Sequence, residues 1–178
     1  AKKIKLGLPP RVAQFTNSHG RAPHLAILAG DHPSAKAYLQ SKLKACKASG
    51  IKTSTHPLSG STKAAVELVQ RLSQDDAVDG IIVELPLPEG MELEKILSAL
   101  SPLKDVEAVT SVNYGRLALI KSYEEIVSRR LVVPCTAAAV IQLLLESKVP
   151  VAKKQAVVVG RSNILGKPAA QLLTALNA

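Results

Sequence analysis

The fold is set by the stretch HLAILAGDHPSAKAYLQSKLKACKASG (24–50). Its first seven residues are a short apolar run closed by Gly30, which predicts a buried β-strand. A helix is predicted from Pro33 to about Ser49, because apolar residues recur there at helical spacing on one face. Gly50 suits the C-terminal cap of that helix. The stretch therefore predicts one strand–helix unit of an α/β fold.

Strands and helices continue to alternate beyond this unit. Further strands are predicted at 51–58, 79–88 and 155–160, and further helices at 62–73, 91–100 and 135–147. The region from 101 to 134 is predicted to be rich in loops. Strands separated by helices indicate a parallel sheet with right-handed crossovers. The first part of the chain is therefore predicted to be a three-layer α/β domain with a parallel sheet.

A second informative stretch is VVVGRSNILGKP (157–168). A strand, a tight turn and a helix N-terminus in this order favour a phosphate group, because backbone N–H groups and the helix dipole attract an anion. Gly160 and Gly166 flank Arg161 and Ser162, a cation and a hydroxyl. The spacing departs from the G-x-G-x-x-G pattern. These four residues are the candidate binding site for a dinucleotide cofactor.

Composition limits the kinds of binding partner and the cellular compartment that are expected. The net charge of +9 favours anionic partners, but three Tyr, one Phe and no Trp offer little surface for stacking bases. A nucleic-acid partner is thus supported by the charge alone. Cys46 and Cys135 have no other potential metal ligands at suitable spacing. The sequence has no apolar run long enough to span a membrane and no recognisable signal peptide. A cytoplasmic or mitochondrial protein that is not secreted, contacts no membrane and holds no metal is expected.

Five polar residues are candidates for chemistry. Tyr38 and Lys42 lie one turn apart on the first predicted helix, where a lysine beside a phenol can move protons or decorate the surface. Glu84 follows the third strand, at the edge where parallel sheets bind ligands, and is either a ligand contact or a solvated acid. Asp105 and Glu107 contact a ligand or belong to a polar loop. Spacing alone leaves these alternatives open.

Several segments in order resemble the methylenetetrahydrofolate dehydrogenase/cyclohydrolase family. These segments are GDHPSAKAYLQSKLKACKASGI (30–51), DGIIVELPLP (79–88), KDVEAVTSVNYGRL (104–117), PCTAAAV (134–140) and VVVGRSNILGKP (157–168). The resemblance implies two α/β domains about a cleft, one with catalytic residues and one Rossmann domain that holds NADP or NAD. Family members oxidise 5,10-methylenetetrahydrofolate by hydride transfer to the cofactor. Many then hydrolyse the methenyl product to 10-formyltetrahydrofolate.

The resemblance assigns roles to residues of the first domain. Lys42 corresponds to the family's catalytic lysine, and Tyr38 to the tyrosine that stacks near the folate. Glu84 occupies a catalytic position. Pro86 and Leu87 are expected to bind the substrate together with Tyr38.

The resemblance also assigns the cofactor turn. Gly160, Arg161, Ser162 and Gly166 match it, and the Arg and Ser suit a 2′-phosphate and hence NADP. The run 134–136 matches a motif near the cleft. The implied organisation is a folate and catalytic domain over 1–147, followed over 148–178 by the first strand and helix of a truncated Rossmann-like domain.

Some positions depart from the family's pattern. Glu84 replaces a Gln, and its carboxylate is expected to pair with Lys42 and oppose a neutral lysine base. Glu107 replaces the folate-binding Asp, and a misplacement of about 1 Å costs roughly a hundredfold in rate. Ala108 replaces a Gly, which adds a Cβ where backbone freedom matters. An Ala-Ser pair of the family is reversed to Ser34-Ala35.

Two hypotheses about function follow. In the first, the chain belongs to an NADP-dependent bifunctional enzyme of one-carbon metabolism that binds a tetrahydrofolate derivative and forms a homodimer. In the second, it is an inactive relative without a cofactor, which serves as a structural or binding subunit of a larger assembly, such as a ribonucleoprotein. The retained Tyr38, Lys42 and glycine turn favour the enzyme. The altered Glu84 and Glu107, the short Rossmann portion and the net charge favour the subunit.

Overall fold

A parallel sheet of three strands occupies the first part of the chain in the computed structural model, in the order β2-β1-β3. Its strands are β1 (His24–Ala29), β2 (Lys52–Pro57) and β3 (Gly80–Val83). Leu28 pairs with His56 on one side and with Val83 on the other. All of β3 and the last four residues of β1 are buried, as expected for strands of a parallel sheet whose faces are covered. The predicted α/β class and the three strands predicted between residues 24 and 88 are confirmed.

Four helices accompany this sheet. They are α1 (Lys2–His19), α2 (Pro33–Ser49), α3 (Thr62–Gln74) and α4 (Leu93–Ser98). Helices α2 and α3 match their predictions, and Ser61 caps α3 by accepting a hydrogen bond from the N–H of Ala64 at 3.3 Å. Helix α1 is not predicted from the sequence, because Pro9 and Pro10 lie inside it and proline normally interrupts a helix.

The last part of the chain is helical, with the helices α5 (Ser111–Ala118), α6 (Tyr123–Ser128), α7 (Cys135–Glu146) and α8 (Gly166–Ala175). Helix α7 matches its prediction. Helices α5 and α6 lie in the region predicted to be rich in loops, and each is short enough to leave little periodic signal. Their apolar side chains form one core with α7 and α8, whose buried members are Leu117, Ile126, Ala137, Ile141, Ala169 and Leu172.

The strand predicted at 155–160 is wrong. The described residues after Lys104 form no strand, and Val157 and Val159 are 88% and 97% exposed. A run of β-branched residues becomes a strand only when a neighbouring strand accepts its backbone hydrogen bonds. Here no such neighbour is present among the described residues.

The structure describes residues 2–178, and all of their side chains except those of residues 2, 3, 34 and 35. The pair Ser34-Ala35, at which the sequence departs from the family pattern, therefore lies outside the described side chains. The chain divides into two compact units, one up to Lys104 and one from Asp105 to Ala178. This division by compactness differs from the predicted domains 1–147 and 148–178, which stay a prediction. Within the described residues, no helix is both long and apolar enough to cross a membrane.

Candidate functional site

An ion pair joins two of the predicted site residues in the first unit. The Nζ of Lys42 lies 2.6 Å from Oε1 of Glu84. Lys42 projects from the middle of α2, and Glu84 follows β3 directly, where its backbone N–H donates to the carbonyl of Leu28 at 2.8 Å. The side chain of Glu84 is 9% exposed and that of Lys42 33%. The predicted ion pair is thereby present, and the carboxylate is its more buried member.

Helix α2 supplies the surroundings of the lysine. Tyr38 lies one turn before Lys42 and its side chain is largely exposed. Cys46 lies one turn after Lys42, and burial raises the pKa of its thiol while the charge of Lys42 acts in the opposite direction. The helix therefore presents a phenol, an ammonium group and a buried thiol along one side.

A short loop follows Glu84 and positions the predicted folate contacts. The Leu85–Pro86 peptide bond is cis. Pro86 is exposed and Leu87 half-buried. A Cβ added to Gly30 at the end of β1 would lie 3.1 Å from Cδ of Pro88, so the absence of a side chain at this glycine lets the loop approach. The loop and the ends of β1 and β3 thus lie at one edge of the sheet.

Asp105 is a buried loop residue at the start of the second unit. It is 1% exposed, and its carboxylate accepts hydrogen bonds from the backbone N–H of Val109 at 3.1 Å and of Thr110 at 2.9 Å. It also accepts from Oγ1 of Thr110 at 2.7 Å and from Nδ2 of Asn113 at 3.0 Å. The sequence left open whether Asp105 contacts a ligand or belongs to a polar loop, and these hydrogen bonds show it as part of the loop. A carboxylate five residues before Thr110 and eight before Asn113 was the signal in the sequence.

The loop held by Asp105 contains two of the altered positions. Glu107 is half-buried, and its backbone N–H donates to Oδ1 of Asp105 at 3.3 Å. Ala108 is fully buried and has a φ of 53°, in the left-handed region that favours glycine. The expectation that this position uses glycine-like backbone freedom is therefore confirmed.

The glycine turn precedes α8. Gly160 has a φ of 148°, and a Cβ on Gly166 would overlap the carbonyl group of Gly160. Both glycines are thus required by the backbone path. Ser162 accepts a hydrogen bond from the N–H of Ile164 at 3.3 Å through its Oγ, and one from the N–H of Lys167 at 3.1 Å through its carbonyl.

The chemistry of this turn fits an anionic group. Arg161 and Ser162 are exposed. Lys167 follows five residues after Ser162, and its Nζ donates a hydrogen bond to Oδ1 of Asn163 at 2.7 Å. The turn leads into the ten-residue helix α8, whose N-terminus carries a partial positive charge. Two cations, a hydroxyl and a helix N-terminus are the donor set that a phosphate requires. The site residues thus lie in two places, the lysine pair in the first unit and the loop and turn in the second.

The helix α7 begins at the predicted 134–136 motif. Pro134 is buried, while Cys135 and Thr136 are exposed. The Sγ of Cys135 lies 3.7 Å from the carbonyl oxygen of Val106, so the helix start is next to the Asp105 loop. Within the described residues, no group of three metal-ligating side chains is present.

Comparison with known families gives two matches. Residues 1–107 match the catalytic domain of the tetrahydrofolate dehydrogenase/cyclohydrolase family, and residues 134–178 match the NAD(P)-binding domain of the same family.

Individual proteins agree with these matches. The bifunctional protein FolD of Campylobacter hominis is 41% identical over 99% of this chain and 60% of its own length. FolD of Bdellovibrio bacteriovorus is 38% identical over 100% of this chain and 60% of its own length. This chain therefore spans about three fifths of the relatives it matches.

Solved structures show the same correspondence. The crystal structure of the bifunctional methylenetetrahydrofolate dehydrogenase/cyclohydrolase FolD from Campylobacter jejuni has a TM-score of 0.88 and 34% identity, and covers 99% of this chain and 61% of that one. FolD from Trypanosoma brucei, solved with NADP cofactor and inhibitor, has a TM-score of 0.87 and 34% identity. It covers 99% of this chain and 59% of that protein.

Proposed function

Since this chain belongs to the tetrahydrofolate dehydrogenase/cyclohydrolase family, we propose that it binds a tetrahydrofolate derivative and takes part in the two reactions for which its relatives are named. The reactions are oxidation of 5,10-methylenetetrahydrofolate and hydrolysis of the methenyl product. The observation that carries the proposal is the meeting of Lys42 with Glu84 at the carboxyl end of β3. In open parallel sheets this edge is where ligands bind.

Each residue of the first unit has a part in the proposal. Tyr38 offers an exposed ring to a flat pterin one turn from the Lys42 ammonium. Pro86 and Leu87 lie on the loop after Glu84 and provide apolar contact. In the second unit, Glu107 is proposed to bind the folate from the loop that Asp105 holds.

The cofactor proposed for the glycine turn is NADP. When bound, it supplies a nicotinamide ring that accepts a hydride. The residues of this chain bind its phosphates: Gly160 and Gly166 permit the turn, and Arg161 and Ser162 supply a charge and a hydroxyl suited to a 2′-phosphate. A homodimer, a cytoplasmic or mitochondrial location and the domain division at 147–148 belong to the same proposal, and they rest on the resemblance.

The alternative of an inactive structural subunit has less support. The relatives described above are named as bifunctional enzymes, and none is named as a structural component. The features that favour it are the net charge of +9 and the altered Glu84 and Glu107.

Folate binding tests the proposal directly. We expect calorimetric titration of the chain with tetrahydrofolate to show saturable binding, and Tyr38→Ala to weaken it about fivefold, because one stacking contact contributes roughly 1 kcal/mol. Lys36→Met, an exposed change two residues before Tyr38 on α2, serves as the control with unchanged affinity. Absence of binding by the unaltered chain contradicts the proposal.

NADP preference tests the second part. Titration with NADP and with NAD is expected to favour NADP, and Arg161→Ala is expected to remove most of that preference while affecting NAD little. Equal affinity for the two dinucleotides in the unaltered chain would contradict the assignment of Arg161 to the 2′-phosphate.

A further inference from the structure

Two histidines and a serine, none of which belongs to the candidate site, form a hydrogen-bonded cluster on the first two strands. Nε2 of His24 on β1 and Nε2 of His56 on β2 each lie 2.9 Å from Oγ of Ser54. Ser54 is two residues before His56 and pairs in register with Ala26, two residues after His24. Since alternate residues of a strand face the same side, the three side chains share one face of the sheet, and all three residues are half-buried.

A backbone carbonyl fixes which atoms of the cluster donate when both rings are neutral. Nδ1 of His24 lies 3.0 Å from the carbonyl oxygen of Ala77, which can only accept, so this nitrogen carries the ring proton. Nε2 of His24 is then an acceptor and receives a hydrogen bond from the hydroxyl group of Ser54. The oxygen of Ser54 in turn accepts from Nε2–H of His56. Hydrogen bonding therefore runs in one direction, from His56 through Ser54 to His24.

The same contacts can accommodate one added proton on His24. Both nitrogens of a charged imidazole donate, and both atoms that face this ring, the carbonyl oxygen of Ala77 and Oγ of Ser54, can accept. The hydroxyl of Ser54 then donates to Nε2 of His56. In total one proton enters from solvent: His24 gains a proton on Nε2, and His56 exchanges its Nε2 proton for one on Nδ1. The direction of hydrogen bonding is reversed and no bond of the cluster is lost.

The groups that face His56 oppose a charge on that ring. Burial is the largest cause that lowers the pKa of His56 below its ordinary value of 6.5, and the positive charges of His24 and of Arg71 on α3 act in the same direction. The half-buried position and the cationic neighbours of His56 thus favour its neutral form.

His24 has a carboxylate close to it. Its backbone N–H donates to Oδ2 of Asp79 at 2.8 Å, and a nearby negative charge favours a charged imidazole. Arg21, at 2.6 Å, and His19 are positive groups that act on the same carboxylate. Lys52, the register partner of His24 on β2, is exposed, so solvent and salt screen its charge. The first proton is therefore expected on His24.

We propose that this cluster is a pH-sensitive switch in which a first proton, on His24, reverses the hydrogen bonds through Ser54, and a second, on His56, breaks the cluster and loosens β2. With both rings charged, both Nε2 atoms donate, and the proton of Ser54 has no imidazole acceptor left. The two cations are then held at most twice 2.9 Å apart and repel each other. Strand β2 feels this repulsion most, because it lies at the edge of the sheet beside β1.

The tautomer of His56 tests the first stage in the unaltered full chain. NMR spectra that correlate ring nitrogens with carbon-bound protons, recorded between about pH 8 and 4, identify the protonated nitrogen of each imidazole. We expect His56 to change from the Nε2–H to the Nδ1–H form at the pH at which His24 becomes charged. A His56 ring that keeps Nε2–H throughout, or that becomes charged before His24, overturns the proposal.

Removal of the bridging hydroxyl tests the coupling between the rings. Ser54→Ala is expected to abolish the change of tautomer at His56 while His24 still takes up its proton, because no group is left to relay the reversal. Thr55→Ala, an exposed change at the next residue of β2, is the control and should leave the change of tautomer intact. A tautomer change that persists in Ser54→Ala contradicts the role of the serine.

The stability of the chain tests the second stage. Since the pKa of His56 is lowered by folding, stability is unaffected above the ordinary value of 6.5 and falls as the pH drops from there through the lowered folded value. His56→Gln, which takes up no proton, is expected to remove about half or more of the decrease in urea midpoint between about pH 7 and 5. His32→Gln, at an exposed position before α2, should leave that decrease unchanged. An equal decrease in His56→Gln and the unaltered chain overturns the second stage.

Discussion

The two compact units use similar aliphatic residues to different effect. In the first unit the aliphatic side chains of the sheet are enclosed, and Ala26, Ile27 and Leu28 are completely buried. In the second unit, the valine run at 157–159 leaves Val157 and Val159 almost fully exposed. The difference is the presence of neighbouring strands, because β1 lies between two partners and residues 155–160 lie beside none among the described residues. Apolar patterning indicates a strand, and pairing decides whether it forms.

The helix ends show a second difference. In the first unit α2 ends on Gly50, which has a φ of 78°. In the second unit, the left-handed residues that follow α6, α7 and α8 are Arg130, Lys148 and Asn177. All four positions make the same pair of closing hydrogen bonds, for example the N–H of Val149 to the carbonyl of Leu144 at 3.0 Å. Local backbone strain is therefore concentrated in the second unit.

The largest effect is expected where burial differs most. Ile27→Ala should lower the free energy of unfolding by about 3–4 kcal/mol, because it leaves a cavity in a completely buried site. Val159→Ala should change it by less than about 0.5 kcal/mol. Urea denaturation followed by circular dichroism measures both. A large effect of Val159→Ala would show that this valine has a partner in solution, and would break the comparison.

The next effect tests what holds the second unit. Asp105→Ala should cost about 3 kcal/mol, because the N–H groups of Val109 and Thr110 and the amide of Asn113 lose their buried acceptor. Asp31→Ala is the control, since that carboxylate is fully exposed and pairs with Lys36 at 3.0 Å. Equal midpoints of urea unfolding for the two variants would refute the role assigned to Asp105.

Reciprocal substitutions at helix ends sharpen the comparison further. Gly50→Ala should destabilise the first unit by about 1 kcal/mol, because of its positive φ and a contact of 3.3 Å between the new Cβ and Cγ1 of Val12. Lys148→Gly should stabilise the second unit by about 0.5 kcal/mol, since relief of the left-handed strain slightly exceeds the entropy cost of glycine. Thermal unfolding checks both, and changes of the same sign would contradict the argument.

The smallest expected effect depends on pH and concerns the first unit. Arg21 donates to both oxygens of Asp79, at 2.6 and 2.9 Å, and this hydrogen bonding lowers the pKa of the carboxyl group below its ordinary value of 3.8. The pair therefore stabilises the folded state above the ordinary pKa of Asp79, and this contribution is lost as the pH falls through the lowered folded value.

The comparison of unaltered chain and Asp79→Asn measures that contribution. We expect the unaltered chain to be the more stable at pH 7, and its advantage in urea midpoint to shrink toward about pH 2. Glu92→Gln, which removes an exposed pair with Lys95, should show a weaker dependence. An advantage that is constant with pH would show that the charge of Asp79 is not its source.

Much of the site was accessible from the sequence. The ion pair of Lys42 with Glu84 was expected from the departure of one residue from the family pattern, and Ala108 was expected to need glycine-like freedom; both are observed. The structural role of Asp105 was one of two open alternatives, because a carboxylate in a polar loop has the same sequence whether it binds a ligand or its own backbone. Only the position of the neighbouring N–H groups separates the two.

The sequence by itself determined the α/β class, the three parallel strands and the helices α2, α3 and α7, because their periodicity and caps are local properties of the chain. The tertiary structure alone decided three other features. It formed α1 despite two internal prolines and placed short helices where loops were predicted. It also left residues 155–160 without strand pairing among the described residues. In each case the deciding energy comes from contacts between segments far apart in sequence, and a local sequence pattern does not report such contacts.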